Sequence, residues 1–313
     1  MKKLFQLVVV TLLLTSCGSK DVCKDMDDAI FRLYCYEHFD LNKDSAVTKD
    51  EAKLVKYLDL AESGVTSLRG IENFENLELF RVSECKELKS IDLRKCKKLK
   101  EIMPGAFWDC SELSSVELPE TVTVIGEDAF SDTKIQSIRL PKDLQQICSE
   151  AFSGSQLKSI DIPDKVELEL GAFDMCDSLR TFQGKFASED GRCLIDERGA
   201  LIAFAPAGLT VYEIPDNVKV IEKEGLSNLG DLESLVLPST IEQILEQAFG
   251  YWIPGMAIYC KSTTPPVFAA HDKYRWIKIY VPASDDHSII NAYRSAETWK
   301  QYSDSIFEYD FNK

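Results

Sequence analysis

Oxygen-bearing side chains recur at fixed intervals near the start of the chain. Asp40, Asn42 and Asp44 stand at alternate positions, and Glu51 lies further on. With Asp40 as position 1 of a loop, Asn42 and Asp44 take positions 3 and 5. Ala46 offers its backbone carbonyl at position 7, Thr48 takes position 9, and Glu51 falls at position 12. A hard divalent cation takes six to eight oxygens of this kind, with a bidentate carboxylate closing the shell. Asp40, Asn42, Asp44, Ala46, Thr48 and Glu51 are therefore the expected calcium ligands, and calcium is the one expected cofactor. Val47 would pack inside. Ser45 fills position 6, where a glycine ordinarily makes the sharp turn.

The spacing resembles an EF-hand calcium loop. Asp25 to Phe39 reads as the incoming helix, with Met26, Ile30, Leu33 and Phe39 apolar, and Thr48 to Lys56 as a short exiting one. The loop is single. The other reading is a helix–turn–helix cap whose acids only N-cap the second helix.

Cysteine is the second chemical resource. Lys2 and Lys3 precede a short apolar run, Leu4 to Leu14, which ends in Leu14-Thr15-Ser16-Cys17. About 20 apolar residues are needed to span a bilayer, so this run is too short. Residues 1–16 read as a signal peptide of the bacterial lipoprotein type, with Cys17 lipidated as the new N-terminus. Its removal takes two lysines and no acid, moving the net charge from −16 to −18. Of ten cysteines, nine then remain, an odd number. Cys23 and Cys35 lie outside the repeats described below and form the expected disulfide. Cys85, Cys110 and Cys176 recur at one place in the repeat and read as buried, inert thiols.

Other chemistry is sparse. A surface this acidic repels phosphates, so no nucleic-acid partner is expected. Three histidines, His38, His271 and His287, sit in unrelated contexts. No nucleophile, P-loop, dinucleotide or zinc motif is present. Acid pairs such as Glu189-Asp190 read as solvated loop residues. A glycosidase-like carboxylate pair across a cleft is left open by sequence. Trp252, Tyr274, Trp276, Tyr293, Trp299 and Tyr302 either form an aromatic surface or pack the last coils and a terminal helix.

The elements that position these residues follow a ruler. Phe107, Phe130, Phe152 and Phe173 are 23, 22 and 21 residues apart, and Pro119, Pro141 and Pro163 keep the same step. One apolar column runs Ile91, Val116, Ile138, Ile160, Phe182, Tyr212, Leu235, Ile258. The other runs Phe80, Ile102, Ile125, Ile147, Leu170, Ile221, Ile244. Alternation around each member, as in Ser115-Val116-Glu117-Leu118, means a short half-buried strand. One coil cannot bury its apolar face alone, but stacked coils share a continuous core.

The string CxxLxxVxLPxxVxxIGxxAF from Cys110 to Phe130 resembles the BspA-type leucine-rich repeat of bacterial surface proteins. The stretch from Gly64 to Leu99 is similar to shorter leucine-rich repeats of such lipoproteins, and residues 263–306 look like the family's end segment. The expected fold is mainly β: a leucine-rich-repeat solenoid of about ten ~22-residue coils. The parts are a signal peptide at 1–16, a tether and EF-hand-like helical cap at 17–56, the solenoid at 57–282, and a C-terminal cap at 283–313 with a helix around Ile289 to Tyr302. Residues 183–213 break the ruler with an inserted hairpin turning at Glu197-Arg198-Gly199. The resemblance implies a non-enzymatic, lipid-anchored protein of the cell envelope. It would sit in the outer membrane, exposed at the surface, and bind a host or bacterial surface protein or glycan. The alternative is a glycan-capturing accessory lipoprotein of a nutrient-uptake system. An enzyme with a hidden carboxylate pair is the third reading.

Overall fold

A computed structural model describes residues 20–250, 255–269 and 277–312. The leader, Cys17, Trp252, His271, Tyr274 and Trp276 lie outside the described residues.

The chain is a mainly β solenoid of about 11 turns, one more than the expected ten. Each turn contributes short parallel strands to two columns. In the first, Ser90–Asp92 pairs with Ser115–Glu117, and Ser159–Ile162 with Thr181–Gly184. Val211–Glu213, Ser234–Leu237, Ala257–Cys260, Lys278–Pro282 and Ile306–Tyr309 then form one five-stranded sheet. In the second column, Glu101–Ile102, Val124–Ile125, Gln146–Ile147 and Glu167–Leu168 form a four-stranded sheet. All but one of the predicted column members that fall in paired strands stand opposite each other, as Ile102↔Ile125 and Tyr212↔Leu235↔Ile258.

Three details correct the sequence reading. Leu168, not Leu170, stands opposite Ile147, so Leu170 leaves the column. Ile138 is buried in the column but belongs to no strand, because its coil turns without making the ladder. The second column also continues through Leu201, inside the insertion, to Ile221, Ile244 and Phe268.

The insertion is a hairpin of Cys193–Ile195 and Ala200–Phe204, antiparallel. It divides the core. Leu194 and Ala205 pack with everything before it, whereas Cys193, Ile195, Leu201 and Phe204 pack with everything after it. Asp190 is an exposed loop acid, as expected, but its carboxylate is engaged. It accepts bonds from the Ser188 hydroxyl at 2.6 Å, the Arg192 N–H at 3.0 Å and the Tyr212 hydroxyl at 3.0 Å. Partial burial pushes its carboxyl up, but these donors hold it below the usual range.

Both ends are capped. Helix α1 is Ala29–Phe39, starting four residues later than expected because Asp28 is its N-cap. Its buried face carries Phe31 and Cys35, one turn apart, while Ile30 and Leu33 point to solvent. Asp28 also accepts from the Thr66 N–H at 2.8 Å and its hydroxyl at 3.0 Å, fastening the cap to the first coil. The exit helix α2 is only Lys49–Ala52. At the rear, α3 is Ser288–Ser295, followed by a 3-10 turn and then Ile306–Tyr309. That last strand was not expected from sequence. It closes the first column's sheet and covers its edge.

Candidate functional site

The acidic loop folds back on itself. The Asp40 carboxylate accepts the Asp44 N–H at 3.2 Å and the Ser45 N–H at 2.9 Å. Asn42 Oδ1 accepts the Asp44 N–H, and Asp44 Oδ1 accepts the Ala46 N–H. Lys43 and Ser45 take left-handed backbone angles, φ 58° and 69°. Ser45 thus adopts the turn ordinarily given to glycine, at a cost of about 1–2 kcal/mol for a residue with a Cβ.

Glu51 behaves differently from a waiting ligand. It is 5% exposed and its carboxylate is saturated. Oε1 accepts the Leu41 and Asn42 N–H groups, and Oε2 accepts the Thr48 N–H at 2.8 Å and the Thr48 hydroxyl at 2.9 Å. Thr48 returns a bond to the Glu51 N–H, completing a capping box. Among the described residues, no three His, Cys, Asp or Glu side chains converge as a metal-binding group. The donor set itself is all hard oxygen and fits calcium by chemistry.

Cys23 and Cys35 are brought together. Both thiols are free and fully buried, and Cys23 lies near enough to Cys35 to perturb its thiol. That contact, then burial, raises the Cys35 thiol far above its usual range. The repeat cysteines form the expected inert column. Cys85 donates to the Leu60 carbonyl, Cys110 to Val82, and Cys176 to Phe152. Thr133 fills the same corner with a bond to Phe130. Burial pushes Cys110 and Cys176 up to about 12, which removes thiolate reactivity.

The aromatic surface lies elsewhere than expected. Tyr293, Trp299 and Tyr302 are buried under the rear cap. A partly exposed cluster is on the first column's outward face. Tyr259, Tyr280 and Phe307 stand in one row across three strands. Tyr259 and Tyr280 stack at 4.6 Å, and Tyr280 meets Phe307 at 5.8 Å. Tyr309 and Phe311 extend the group from the last strand. Sequence carried a usable signal here: in Ile258-Tyr259-Cys260 and Ile279-Tyr280-Val281 the ring occupies the outward position of an alternating strand. His287 pairs with Glu308 at 2.8 Å beside this face, and His38 bonds the Tyr34 carbonyl.

Residues 64–187 and 202–258 match the family described as BspA type leucine rich repeat region, in six copies. No curated protein matches the chain. Among solved structures, a leucine rich cell surface protein from Faecalibacterium prausnitzii is 23% identical, covers 67% of this chain and 71% of its own, and superposes with a TM-score of 0.50. A leucine-rich repeat protein from Bacteroides ovatus is 22% identical over 66% of this chain, with a TM-score of 0.47. This chain spans 59% of that protein's length. One from Eubacterium ventriosum is 19% identical, covers 64% of this chain and 61% of its own, at a TM-score of 0.47.

Proposed function

Because the chain belongs to the BspA-type leucine-rich-repeat family, we propose that it is a non-enzymatic binding protein displayed at the cell surface. The observation that carries this reading is the row of rings on the solenoid's outward face, half-buried Tyr259 and Tyr280 leading to exposed Phe307. Rings on a rigid sheet offer large contact area at little entropic cost, the usual make-up of an interface core. Phe307 is 42% and Tyr309 41% exposed, an arrangement an isolated chain gains nothing from. Lipidation of Cys17 would tether the chain to the outer membrane, with the front cap nearest the lipid. A protein of the host or bacterial surface is the partner. Calcium at the Asp40–Glu51 loop would stiffen the cap between tether and solenoid. The all-oxygen donor set and the left-handed Ser45 support that assignment.

The test is capture by immobilised mature chain from a panel of matrix and bacterial surface proteins. Tyr280→Ser with Phe307→Ser should abolish capture while leaving thermal unfolding in place. Equal capture by the doubly substituted chain would remove the aromatic face from the mechanism.

A further inference from the structure

The second strand column is interrupted once. Glu167–Leu168 ends its sheet, and Ala200–Phe204 begins a separate one whose near edge is taken by the antiparallel Cys193–Ile195. A hollow of about 380 Å³ opens at this break. Leu168 and Ile202 line it from opposite sides and, with Phe186, give it an apolar floor. On its wall Arg198 forks between Asp196 at 2.7 Å and Glu222 at 3.2 Å. A smaller hollow, about 10 Å³, continues past the same Leu168 and Ile202 and is lined by Asp174, Glu224 and Asn228. It has room for one water-sized group.

Asn228 is only 9% exposed. Its Oδ1 accepts the Gly230 N–H at 3.1 Å, which fixes the amide's orientation. Turning the amide over would set two donors against each other. Its Nδ2 is left buried with no hydrogen-bond partner among the described residues. A buried donor left unmet costs about 1–3 kcal/mol, so this atom asks for an oxygen.

That oxygen would sit among carboxylates. Asp174 spends one oxygen on the Met175 N–H, and Glu224 spends one on Lys223 at 3.4 Å. Burial and the Asp128, Glu224 and Asp174 carboxylates push nearby Glu150 up, a sign of uncompensated negative charge on this flank. An anion is excluded by that charge, and an ammonium cannot accept a hydrogen bond. A hydroxyl accepts from Asn228 and donates to a carboxylate.

We propose that the seam between the two half-solenoids is a binding site for a neutral saccharide. The apolar face of a sugar ring rests on Phe186, Leu168 and Ile202. One hydroxyl enters the small hollow, accepts from Asn228 Nδ2 and donates to Asp174 or Glu224. The volume is near the lower end of the ~300–1,000 Å³ typical of small-ligand sites. An extended peptide is disfavoured, because the free strand edge at Glu167–Leu168 is two residues long and strand addition needs a run of main-chain bonds. The site is in the other strand column from the aromatic face and does not depend on it.

Saturation-transfer NMR of the mature chain tests this. The probes are glucose, galactose, mannose, fucose, xylose, N-acetylglucosamine, N-acetylgalactosamine, maltose, cellobiose and lactose. At least one should receive saturation at millimolar concentration. Asn228→Ala should weaken its binding about tenfold, the loss of one buried hydrogen bond. Ile202→Trp fills the larger hollow, keeps Asn228 itself in place and should abolish binding, which keeps the test sound if Asn228→Ala unfolds. Tyr280→Ser should bind sugar normally. No saturation of any probe overturns the proposal. So does binding that survives both Asn228→Ala and Ile202→Trp, or capture of a cationic peptide but no sugar at the seam.

Discussion

The coils before the hairpin and the coils after it solve one packing problem differently. Before it, Phe107, Phe130, Phe152 and Phe173 stack nearly parallel, with centroids 5.1, 5.4 and 5.7 Å apart. Phe182 then ends the stack edge-on. After it, buried Leu226 takes the ring position, and Phe249 meets Phe268 at 90°. The outward faces differ in the opposite sense. The outward positions of the front strands carry exposed Ser115, Glu117 and Gln183; those of the rear strands carry half-buried Tyr259 and Tyr280 and exposed Phe307. A ring stack continues only while each coil repeats the last, and the step from Phe182 to Tyr212 resets it. The front half runs its phenylalanines through the core as one stack, and the rear half adds a second row of rings on its outward face.

The largest expected effect probes whether the halves are separate. Phe130 is fully buried in mid-stack. Phe130→Ala should cost about 3–5 kcal/mol, because stacked neighbours on both sides cannot collapse into the hole. Solenoid repeats couple mainly to their neighbours. Hydrogen exchange should therefore quicken at front strands while the amides of Leu235 and Ile258 keep their protection. Equal loss front and rear would make the two cores one cooperative unit.

The front cap sharpens the same contrast, since its thiols have no rear counterpart. Two electrons and two protons passed from Cys23 and Cys35 to an external disulfide would join the facing sulfurs. Closing so short a loop is worth about 3 kcal/mol in the chain-entropy view. The oxidised chain should be lighter by two hydrogens, resist alkylation at both positions after unfolding, and melt higher without reductant. Full alkylation of both thiols in unreduced, exported protein would dismiss the bridge.

Periodic features were legible before any coordinates. A fixed ruler of Phe, Pro and Ile specifies stacked strands, and both columns and the hairpin follow from it. What escaped was the consequence of the insertion. Leu168 and Leu170 are both apolar, and only strand register distinguishes them. The seam joins residues far apart in sequence, Leu168 with Ile202 and Asp174 with Asn228, so no local spacing announces it. Ile306–Tyr309 lacks a repeat signature because a helix and a 3-10 turn intervene. At the acidic loop, spacing did not reveal that Glu51 would spend both oxygens on backbone and Thr48 donors.

Calcium should act on the front only. If free calcium is about ten times the dissociation constant, linkage adds roughly 1.4 kcal/mol to the cap. Melting should rise in calcium relative to chelator at constant ionic strength. Glu51→Gln should erase the gain, and magnesium should give less of it, since the smaller ion demands a tighter octahedral shell. Calorimetry without heat at millimolar calcium, with identical melting in chelator, would leave Glu51 as a helix cap alone.

The smallest effect concerns one left-handed position repeated along the solenoid. Asp128, Glu150, Glu224 and Gln247 each follow their column isoleucine by three residues and take φ near 54–62°. Gln247, the last of the four, is uncharged, whereas Glu150 is raised above its ordinary 4.5 by burial and by Asp128 and Glu224. With a raised folded value, the folded chain holds a proton that the unfolded chain has already released. Stability therefore falls as pH rises from the ordinary value through the raised one, and stays lower at neutral pH. Glu150→Gln makes the front position match Gln247 and should flatten that part of the pH profile. The side chain is exposed and screened, so the gain at neutral pH stays below about 0.5 kcal/mol and shrinks further in high salt. Melting followed across the acidic range in both chains reads it. A Gln variant with an unchanged profile would mean that the like charges along this column, front and rear, are already neutralised by solvent.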